Sequence, residues 1–356
     1  MLVDAGQRSA AEALKAALDT LGGGNPTFII STHEHEEHIG GNKIFGPEPV
    51  VIGHPNVRKR LTSGIYLFDE FPDATLPELT ITDSMSLFFN GEEIKVTALT
   101  GAHTASDLVV WFTESKVACV GAISNGPDFP SVDSEGGDVM KYPDVVGRLL
   151  DWLPDDAMII PGHGADGNMD DLRAFHKMLV ETTEVIRAGL AEGKDLKTLQ
   201  DEEVLKDWES WGSSYTSINR WIQYLVEGIQ GKEDKDAPYE VMYYALKEKG
   251  IDGAIAQYND MKVNQADEYD FGELAAVLIG YKLYNNDRVP EALRFFEVSV
   301  KDYPQGRYAY YCYQLMAETS NKAGNKEQAI AYLKKSIELN PDNTDAVELL
   351  EELENQ

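Results

Sequence analysis

The segment TFIISTHEHEEHIGGN, residues 27–42, places His33, His35 and His38 within six positions, with glutamates between them. The whole chain has only seven histidines, so this clustering calls for a chemical reason. Zinc favours a few imidazoles in near-tetrahedral geometry with one position left for water, and the segment offers such ligands. A solvated loop rich in histidine and glutamate would also explain this cluster, but not further histidines placed to join it.

Two further histidines lie where predicted strands end, His103 in TGAHTASD and His163 in IIPGHGADGN. The apolar run Thr27–Thr32 predicts a strand that leads directly into the first cluster. The carboxyl ends of strands are where α/β proteins place their chemistry. Joint metal binding therefore explains the pattern better than a polar loop does.

The elements around these loops can also be predicted. Five segments predict strands: PVVIGH, the hairpin MSLFFNGEEIKVTAL with an Asn90-Gly91 turn, DLVVWF, KVACVGA and AMIIPGHG. The segment SAAEALKAALDTLGGG predicts a helix with Ser9 and Glu12 at capping-box spacing and a glycine stop. Its apolar face is expected to contain Leu14, Leu18 and Leu21.

The order THEHEEHIGGN, GAHTASDLVVWFTESKVACVGA and PGHG resembles the metallo-β-lactamase-fold hydrolases. Their signature is HxHxDH, a distant histidine, a GD dipeptide after a strand and a PGH loop, and the resemblance covers roughly residues 1–190. It implies an α/β fold, an αββα sandwich, with two zinc sites. The first zinc would be held by His33, His35 and His103. The second would be held by Glu37, His38 and His163, and Glu37 would also be the catalytic carboxylate.

Two departures from the family pattern affect the second site. Glu37 stands where the family has aspartate, and Ala122 stands where the GD dipeptide supplies a carboxylate that bridges both metals. One subclass of zinc β-lactamases also lacks that bridge. We therefore expect one firmly held Zn²⁺ and a second, weaker one. Ser124, Asn125 or Asp107 are candidates to compensate, although Asp107 is expected to be structural.

The amino-terminal text MLVDAGQ resembles a family strand that normally follows two or three earlier strands. The resemblance thus implies that first strands, and a leader, precede Met1. A periplasmic or secreted location would follow from such a leader.

The carboxyl-terminal half has helical periodicity and an internal repeat. Small residues and prolines recur at a spacing of 12, and the pattern returns 37 residues later. Its positions are Gly280, Ala292 and Pro304, then Ala317, Ala329 and Pro341. The pattern resembles tetratricopeptide units, in which small residues let paired helices approach closely and proline ends the second helix.

Phe296 and Leu333 would fill the layer between these helices, and a weaker unit with Ala254 and Tyr258 brings the expected number of helix hairpins to three. We predict a hydrolase domain at 1–194, a helical connector packed on it at 195–236, and an all-α repeat domain at 237–356. Such repeats would serve a protein partner or self-association. A helical cap on the catalytic domain is the alternative.

Composition limits the partners. The formal net charge is −30, from 61 acidic and 31 basic residues, which repels nucleic acid and anionic membranes. No apolar run approaches the roughly 20 residues that span a bilayer. Cys119 and Cys312 have no partner pattern and are expected to be buried thiols.

Three functions remain open. The first is a zinc-dependent hydrolase in which metal-bound hydroxide attacks an ester, thioester, lactone or amide bond of a small molecule, a β-lactam among them. The second is a catalytically weak metal-binding relative that acts mainly through its helical repeats, which the identities of Ala122 and Glu37 favour. The third is a nuclease of the same fold, which the negative charge opposes. The first is our prediction.

Overall fold

The computed structural model describes residues 1–62, 71–133, 136–212, 216–231, 235, 237–306, 308–341 and 343–355. The chain divides into two compact units. The first comprises Met1–Leu61 and Phe71–Asp234, and the second contains Lys235–Gln356.

The first unit contains a four-stranded parallel sheet in the order β1-β2-β3-β4. Its strands are β1 (Leu2–Val3), β2 (Phe28–Ile30), β3 (Val50–Gly53) and β4 (Leu79–Thr80). Four helices accompany this sheet: α1 (Ala11–Thr20), α2 (Glu36–Ile39), α3 (Asn42–Phe45) and α4 (Pro55–Leu61). Because β2 ends at Ile30, the histidine cluster begins at the carboxyl edge of the sheet.

A second sheet has six strands in the order β10-β9-β8-β7-β6-β5, antiparallel except for the parallel β8–β9 pair. The strands are β5 (Ser84–Phe89), β6 (Glu92–Ala98), β7 (Leu108–Phe112), β8 (Val117–Gly121), β9 (Met158–Pro161) and β10 (Gly167–Asn168). Asn90 and Gly91 turn the β5–β6 hairpin with φ values of 51° and 85°, as a type I′ turn requires. The predicted hairpin is confirmed.

The two sheets share an apolar layer in which Ile30 and Ile52 of the first sheet meet Val96 and Val110 of the second. On the outer face of the second sheet lie α5 (Tyr142–Trp152) and α6 (Met169–Ala191), which pack against buried residues such as Val109. Helix α1 lies over the first sheet, where Leu14 and Leu18 pack against the buried cluster that contains Ile29. Helix, sheet, sheet and helix layers therefore follow in the predicted αββα order.

The start of α1 differs from the prediction. The helix begins at Ala11 after an Ala10 cap that makes no side-chain hydrogen bond. The Ser9 hydroxyl instead donates to Gln7 Oε1 at 3.3 Å, since the chain turns before the helix begins. The predicted capping box is therefore wrong. Leu21 lies beyond the last helical residue and is 82% exposed, so it does not belong to the apolar face.

The predicted connector packs within the first unit. It contains α7 (Leu196–Asp201) and α8 (Ile218–Ile229), and Trp221 of α8 is fully buried in the same apolar cluster as α5 and α6. Residues 213–215, 232–234 and 236 of this segment lie outside the described residues. We therefore propose to extend the hydrolase domain from residue 194 to about residue 235.

All secondary-structure elements described in the second unit are helices. Its helices are α9 (Tyr239–Asn264), α10 (Glu273–Asn285), α11 (Val289–Asp302), α12 (Ala309–Lys322), α13 (Lys326–Leu339) and α14 (Thr344–Asn355). Gly250 interrupts α9 with φ 67° and ψ −176°, so that helix contains two helical parts. The described residues form three successive helix pairs and one further helix.

The small residues of the repeat lie where these helices meet. A Cβ at Gly280 would lie 2.6 Å from the Phe296 ring and 3.3 Å from the carbonyl oxygen of Ala292. Ala317, Ala329 and Leu333 share one buried cluster. The close helix contacts expected at these positions are present, while the tetratricopeptide assignment itself stays a prediction.

Among the described residues, no helix has both the length and the apolar composition that crossing a bilayer requires. Cys119 and Cys312 are free thiols; Cys312 is buried and Cys119 is half-buried.

Candidate metal centre

Loops at one edge of the two sheets bring all six predicted ligands together in two groups. The first is His33, His35 and His103, and the second is Glu37, His38 and His163; within each group the potential ligand atoms lie within 4.8 Å of one another. The groups adjoin, because the rings of His33 and His38 have centroids only 4.1 Å apart. This arrangement offers three nitrogens at one position and two nitrogens with a carboxylate at the next.

Hydrogen bonds at the far side of each ring orient the first group. His103 Nδ1 lies 3.0 Å from the Ser131 carbonyl oxygen, and His35 Nε2 lies 2.8 Å from Asp133 Oδ2. Both partners only accept hydrogen bonds, so these ring nitrogens carry the protons. The other nitrogens, His103 Nε2 and His35 Nδ1, face each other at 3.1 Å.

His33 completes this group through Thr32. The Thr32 hydroxyl donates to Asp4 Oδ2 at 2.8 Å and lies 3.0 Å from His33 Nδ1. Since the only hydroxyl proton is used, His33 Nδ1 must donate to Thr32. His33 Nε2 is then an acceptor that is buried and has no hydrogen-bond partner among the described residues, as is expected of a nitrogen that ligates a metal.

One proton fits between His35 and His103. Burial opposes charge on His35, but the hydrogen bond that His35 donates to Asp133 and the charge of that carboxylate outweigh burial and raise the pKa of His35. Burial and the neighbouring His35 lower the pKa of His103 to about 3. The 3.1 Å between the two nitrogens fits a proton on His35 Nδ1 donated to His103 Nε2, at the position where a cation would bind both.

The second group is oriented in the same way. Asp4 Oδ2 lies 2.8 Å from His38 Nδ1, so that nitrogen donates and His38 Nε2 faces His163 Nε2 at 3.5 Å. Glu37 Oε1 lies 3.8 Å from the same His163 nitrogen. Burial raises the pKa of Glu37, but the nearby His35 and a backbone hydrogen bond lower it further than burial raises it. The carboxylate is therefore ionised at neutral pH.

Neutral imidazoles are what a metal requires. Burial, followed by the neighbouring His38, lowers the pKa of His33 well below its usual value. Burial, followed again by His38, lowers the pKa of His163. His33 and His103 of the first group and His163 of the second are therefore uncharged at neutral pH. Each can bind a cation without first losing a proton.

Several residues that orient these ligands were missed by sequence reasoning. Asp4, Thr32, Ser131 and Asp133 supply the outer hydrogen bonds, and Arg60 of α4 lies 3.4 Å from Asp133 Oδ2. Asp4 directly follows β1, the strand that pairs with β2. Its position at the carboxyl end of a strand was the only feature of the sequence that could have identified it as a site residue. Asp133 had none, since its partner His35 is 98 residues away in sequence.

The structure also locates the residues discussed for the missing bridge. Ala122 is 1% exposed and follows β8. Its backbone nitrogen would lie 2.8 Å from a Cβ built at Gly162, so position 122 adjoins the loop that carries His163. The Asp107 oxygens accept hydrogen bonds from the His103 and Thr104 backbone N–H groups, which confirms the structural role expected of Asp107.

A model of the metallo-beta-lactamase superfamily matches residues 1–163, which contain both ligand groups. Residues 1–163 are a metallo-β-lactamase superfamily domain. The predicted family and its fold are thereby confirmed for the amino-terminal half.

Individual relatives of this superfamily domain are distant. The type 2 metallo-beta-lactamase of Bacteroides fragilis is 24% identical over 145 residues, which is 40% of this chain and 55% of that relative. The chain thus spans about half the length of this curated relative.

Solved structures similar to the chain include a metallo-beta-lactamase from Pontibacter korlensis, with 19% identity and a TM-score of 0.42. That match covers 50% of this chain and 81% of the other. The DIM-1 metallo-beta-lactamase has 22% identity and a TM-score of 0.41, and the match covers 51% of this chain and 80% of the other.

Proposed function

We propose that the protein is a zinc-dependent hydrolase of a small-molecule ester, thioester, lactone or amide, with β-lactams as one class to test. The observation that carries the proposal is the convergence of three ring nitrogens in the first group, His33 Nε2, His35 Nδ1 and His103 Nε2. The other ring nitrogen of each histidine donates a hydrogen bond, to Thr32, Asp133 and Ser131 respectively. Three such nitrogens suit a catalytic zinc, which keeps a position for water.

Zinc, when bound, supplies a Lewis acid that activates water and polarises a carbonyl group. The protein's residues supply the geometry. Asp133 holds the proton on His35 Nε2, and Asp4 holds the proton on His38 Nδ1. In this proposal Glu37, which is ionised and more than one-third exposed at its side chain, would ligate at the second position and would accept a proton from an attacking water.

The test combines metal content with a substrate screen. Purified protein is loaded with zinc and assayed against chromogenic esters, thioesters, lactones and cephalosporins, before and after chelation. His103→Ala should abolish both tight zinc binding and hydrolysis. His176→Ala is the matched control, because the His176 ring bonds the Pro143 carbonyl oxygen at 2.9 Å in the same unit. Absence of zinc after loading would contradict the proposal.

Ala122 favours a second candidate, a metal-binding relative with weak catalysis that acts mainly through its helical repeats. A methyl group cannot bridge two cations, so the second metal would be poorly held. This candidate predicts tight binding of a single zinc with no turnover in the whole screen. Hydrolysis of any tested class that chelation abolishes would exclude it.

A further inference from the structure

One short segment of the first unit contacts two of the three imidazoles in the first group. The Ser131 carbonyl oxygen lies 3.0 Å from His103 Nδ1, and Asp133 Oδ2 lies 2.8 Å from His35 Nε2. Asp133 also donates its backbone N–H to the His103 carbonyl oxygen at 2.9 Å. We call residues 131–133 the clamp segment.

The clamp segment is itself held by buried groups. The hydroxyl of Tyr142, a fully buried residue of α5, donates to the Ser131 carbonyl oxygen at 2.7 Å. Just before the segment, Phe129 is 1% exposed and stacks on Trp221 with ring centroids 5.4 Å apart. Buried residues in the core of the first unit therefore fix the position of the clamp segment.

Arg60 ties the clamp segment to the histidine loop. Its guanidinium group lies 3.4 Å from Asp133 Oδ2 and 3.5 Å from Oε1 of Glu34. Glu34 is fully buried and accepts a hydrogen bond from the Ser106 hydroxyl. One cation therefore joins two carboxylates, one beside His33 and His35 in the sequence and one in the clamp segment.

We propose that Asp133 and Arg60 are positioning residues that set the metal affinity of the first group by fixing the orientation and the tautomer of His35. Asp133 keeps the proton on Nε2, so that Nδ1 faces His33 and His103. Arg60 acts through Asp133, because its charge holds the carboxylate in the orientation that His35 needs. The affinity part rests on the proposed function, since it requires that the group bind a metal.

The affinity test is a zinc titration of chelator-treated full-length protein by calorimetry. Removing a partner that orients a metal-bound imidazole typically weakens metal affinity by about 10–100-fold. Asp133→Ala should weaken the tighter equivalent of zinc by that factor and leave the weaker equivalent unchanged. Asp133→Asn keeps an acceptor for His35 and should restore part of the affinity. Arg60→Gln should weaken the same equivalent, although it leaves the ligands and Asp133 intact.

Asp138→Ala is the matched control. Asp138 follows the same segment, but its carboxylate accepts from the Met140 backbone N–H and pairs with Lys141 Nζ at 3.6 Å. Equal weakening by Asp138→Ala would show that the loop is merely fragile and would overturn the proposal. Unchanged affinity in Asp133→Ala would overturn it as well.

A second readout does not depend on metal. Nitrogen NMR of histidine-labelled, metal-free protein at about pH 9, above the usual histidine pKa of about 6.5, reports which ring nitrogen carries the proton. His35 should be the Nε2–H tautomer in the wild type and should lose this preference in Asp133→Ala. Retention of the tautomer would overturn the inference. Failure of the wild type to bind zinc would instead overturn the proposed function, and the tautomer result would still decide the role of Asp133.

Discussion

Asp4 Oδ2 lies 2.8 Å from Nδ1 of His38. The same oxygen accepts the Thr32 hydroxyl, which in turn accepts from His33 Nδ1. One carboxylate at the end of β1 therefore orients one imidazole in each ligand group, His38 directly and His33 through a hydroxyl.

This relationship predicts that Asp4→Ala weakens both zinc equivalents. Outer-shell substitutions cost about 10–100-fold in metal affinity, and the larger loss is expected at the group of His38, because that contact is direct. The measurement is calorimetric titration with zinc. Asp4→Asn, which keeps oxygen acceptors but not the charge, should lie between the wild type and Asp4→Ala. If Asp4→Ala weakened only one zinc equivalent, the hydrogen bonds through Thr32 would not be what orients His33.

A second prediction concerns pH and the metal-free protein. Burial and neighbouring imidazoles lower the pKa of both His33 and His103, the latter to about 3. Below about pH 6.5 the unfolded chain binds protons at these residues that the native protein does not. The contribution of these histidines to the free energy of unfolding is therefore fully present above that pH. It is lost as the pH falls, by roughly 1.4 kcal/mol per pH unit for each of the two histidines.

Urea unfolding at several pH values tests this, and tryptophan fluorescence reports the first unit, which contains all five tryptophans. Asp133 and Glu37 have lowered pKa values, so their contribution is lost only below about pH 4. Between about pH 6.5 and 4.5 the lowered pKa values of His33 and His103 make the free energy of unfolding rise with pH, whereas burial raises the pKa of Asp107 to about 7 and its contribution opposes theirs. Because Asp107 is present in both proteins, His103→Gln should reduce the slope by roughly 1.4 kcal/mol per unit relative to the wild type. An unchanged slope in that variant would contradict the assignment.

The ligand spacing could be predicted from sequence because it is local. His33, His35 and His38 follow one strand directly, and His163 belongs to a three-residue motif. The contacts that orient them depend on tertiary structure, as the pairing of His35 with Asp133 shows. The strands β4 and β10 were missed because two residues cannot show alternation. The Ser9 capping box failed because a local turn with Gln7 competed for the hydroxyl.

A third prediction tests the division between the two units. Ala329 is fully buried between helices of the second unit, so Ala329→Trp should overpack that contact and destabilise the unit by about 1–3 kcal/mol or more. The two ligand groups lie in the first unit and should keep their affinity for zinc. Ala331→Trp is the control, because Ala331 is exposed on the same helix.

Helical circular dichroism during melting and zinc titration together measure both effects. Loss of zinc binding in Ala329→Trp with an unchanged helical melt would show that the proposed domain division is wrong. Equal destabilisation by Ala331→Trp would show that Ala329 has no special role in helix packing.

The fourth prediction concerns the second ligand group, where this sequence departs from its family. Its carboxylate is supplied by Glu37, and no bridging carboxylate is available at Ala122, so one anionic ligand between two adjacent cations is missing. Two metal ions in such sites lie about 3.5–4 Å apart, and their mutual repulsion needs negative charge nearby. We therefore expect unequal zinc affinities, with the weaker equivalent lost on dialysis.

Ala122→Asp should tighten the second zinc, because position 122 adjoins the His163 loop. Without metal the same change places an unpaired carboxylate in a buried position, which costs stability. The metal-free variant should therefore unfold at lower urea concentration than the wild type, and zinc should reverse the difference. Ala122→Asn has nearly the same shape as Ala122→Asp without the charge and should not gain zinc affinity.

Two equally tight sites in the wild type, or no gain in Ala122→Asp, would mean that another group already supplies the ligand. Asn125 would be the first residue to examine, because its buried Oδ1 has no hydrogen-bond partner among the described residues.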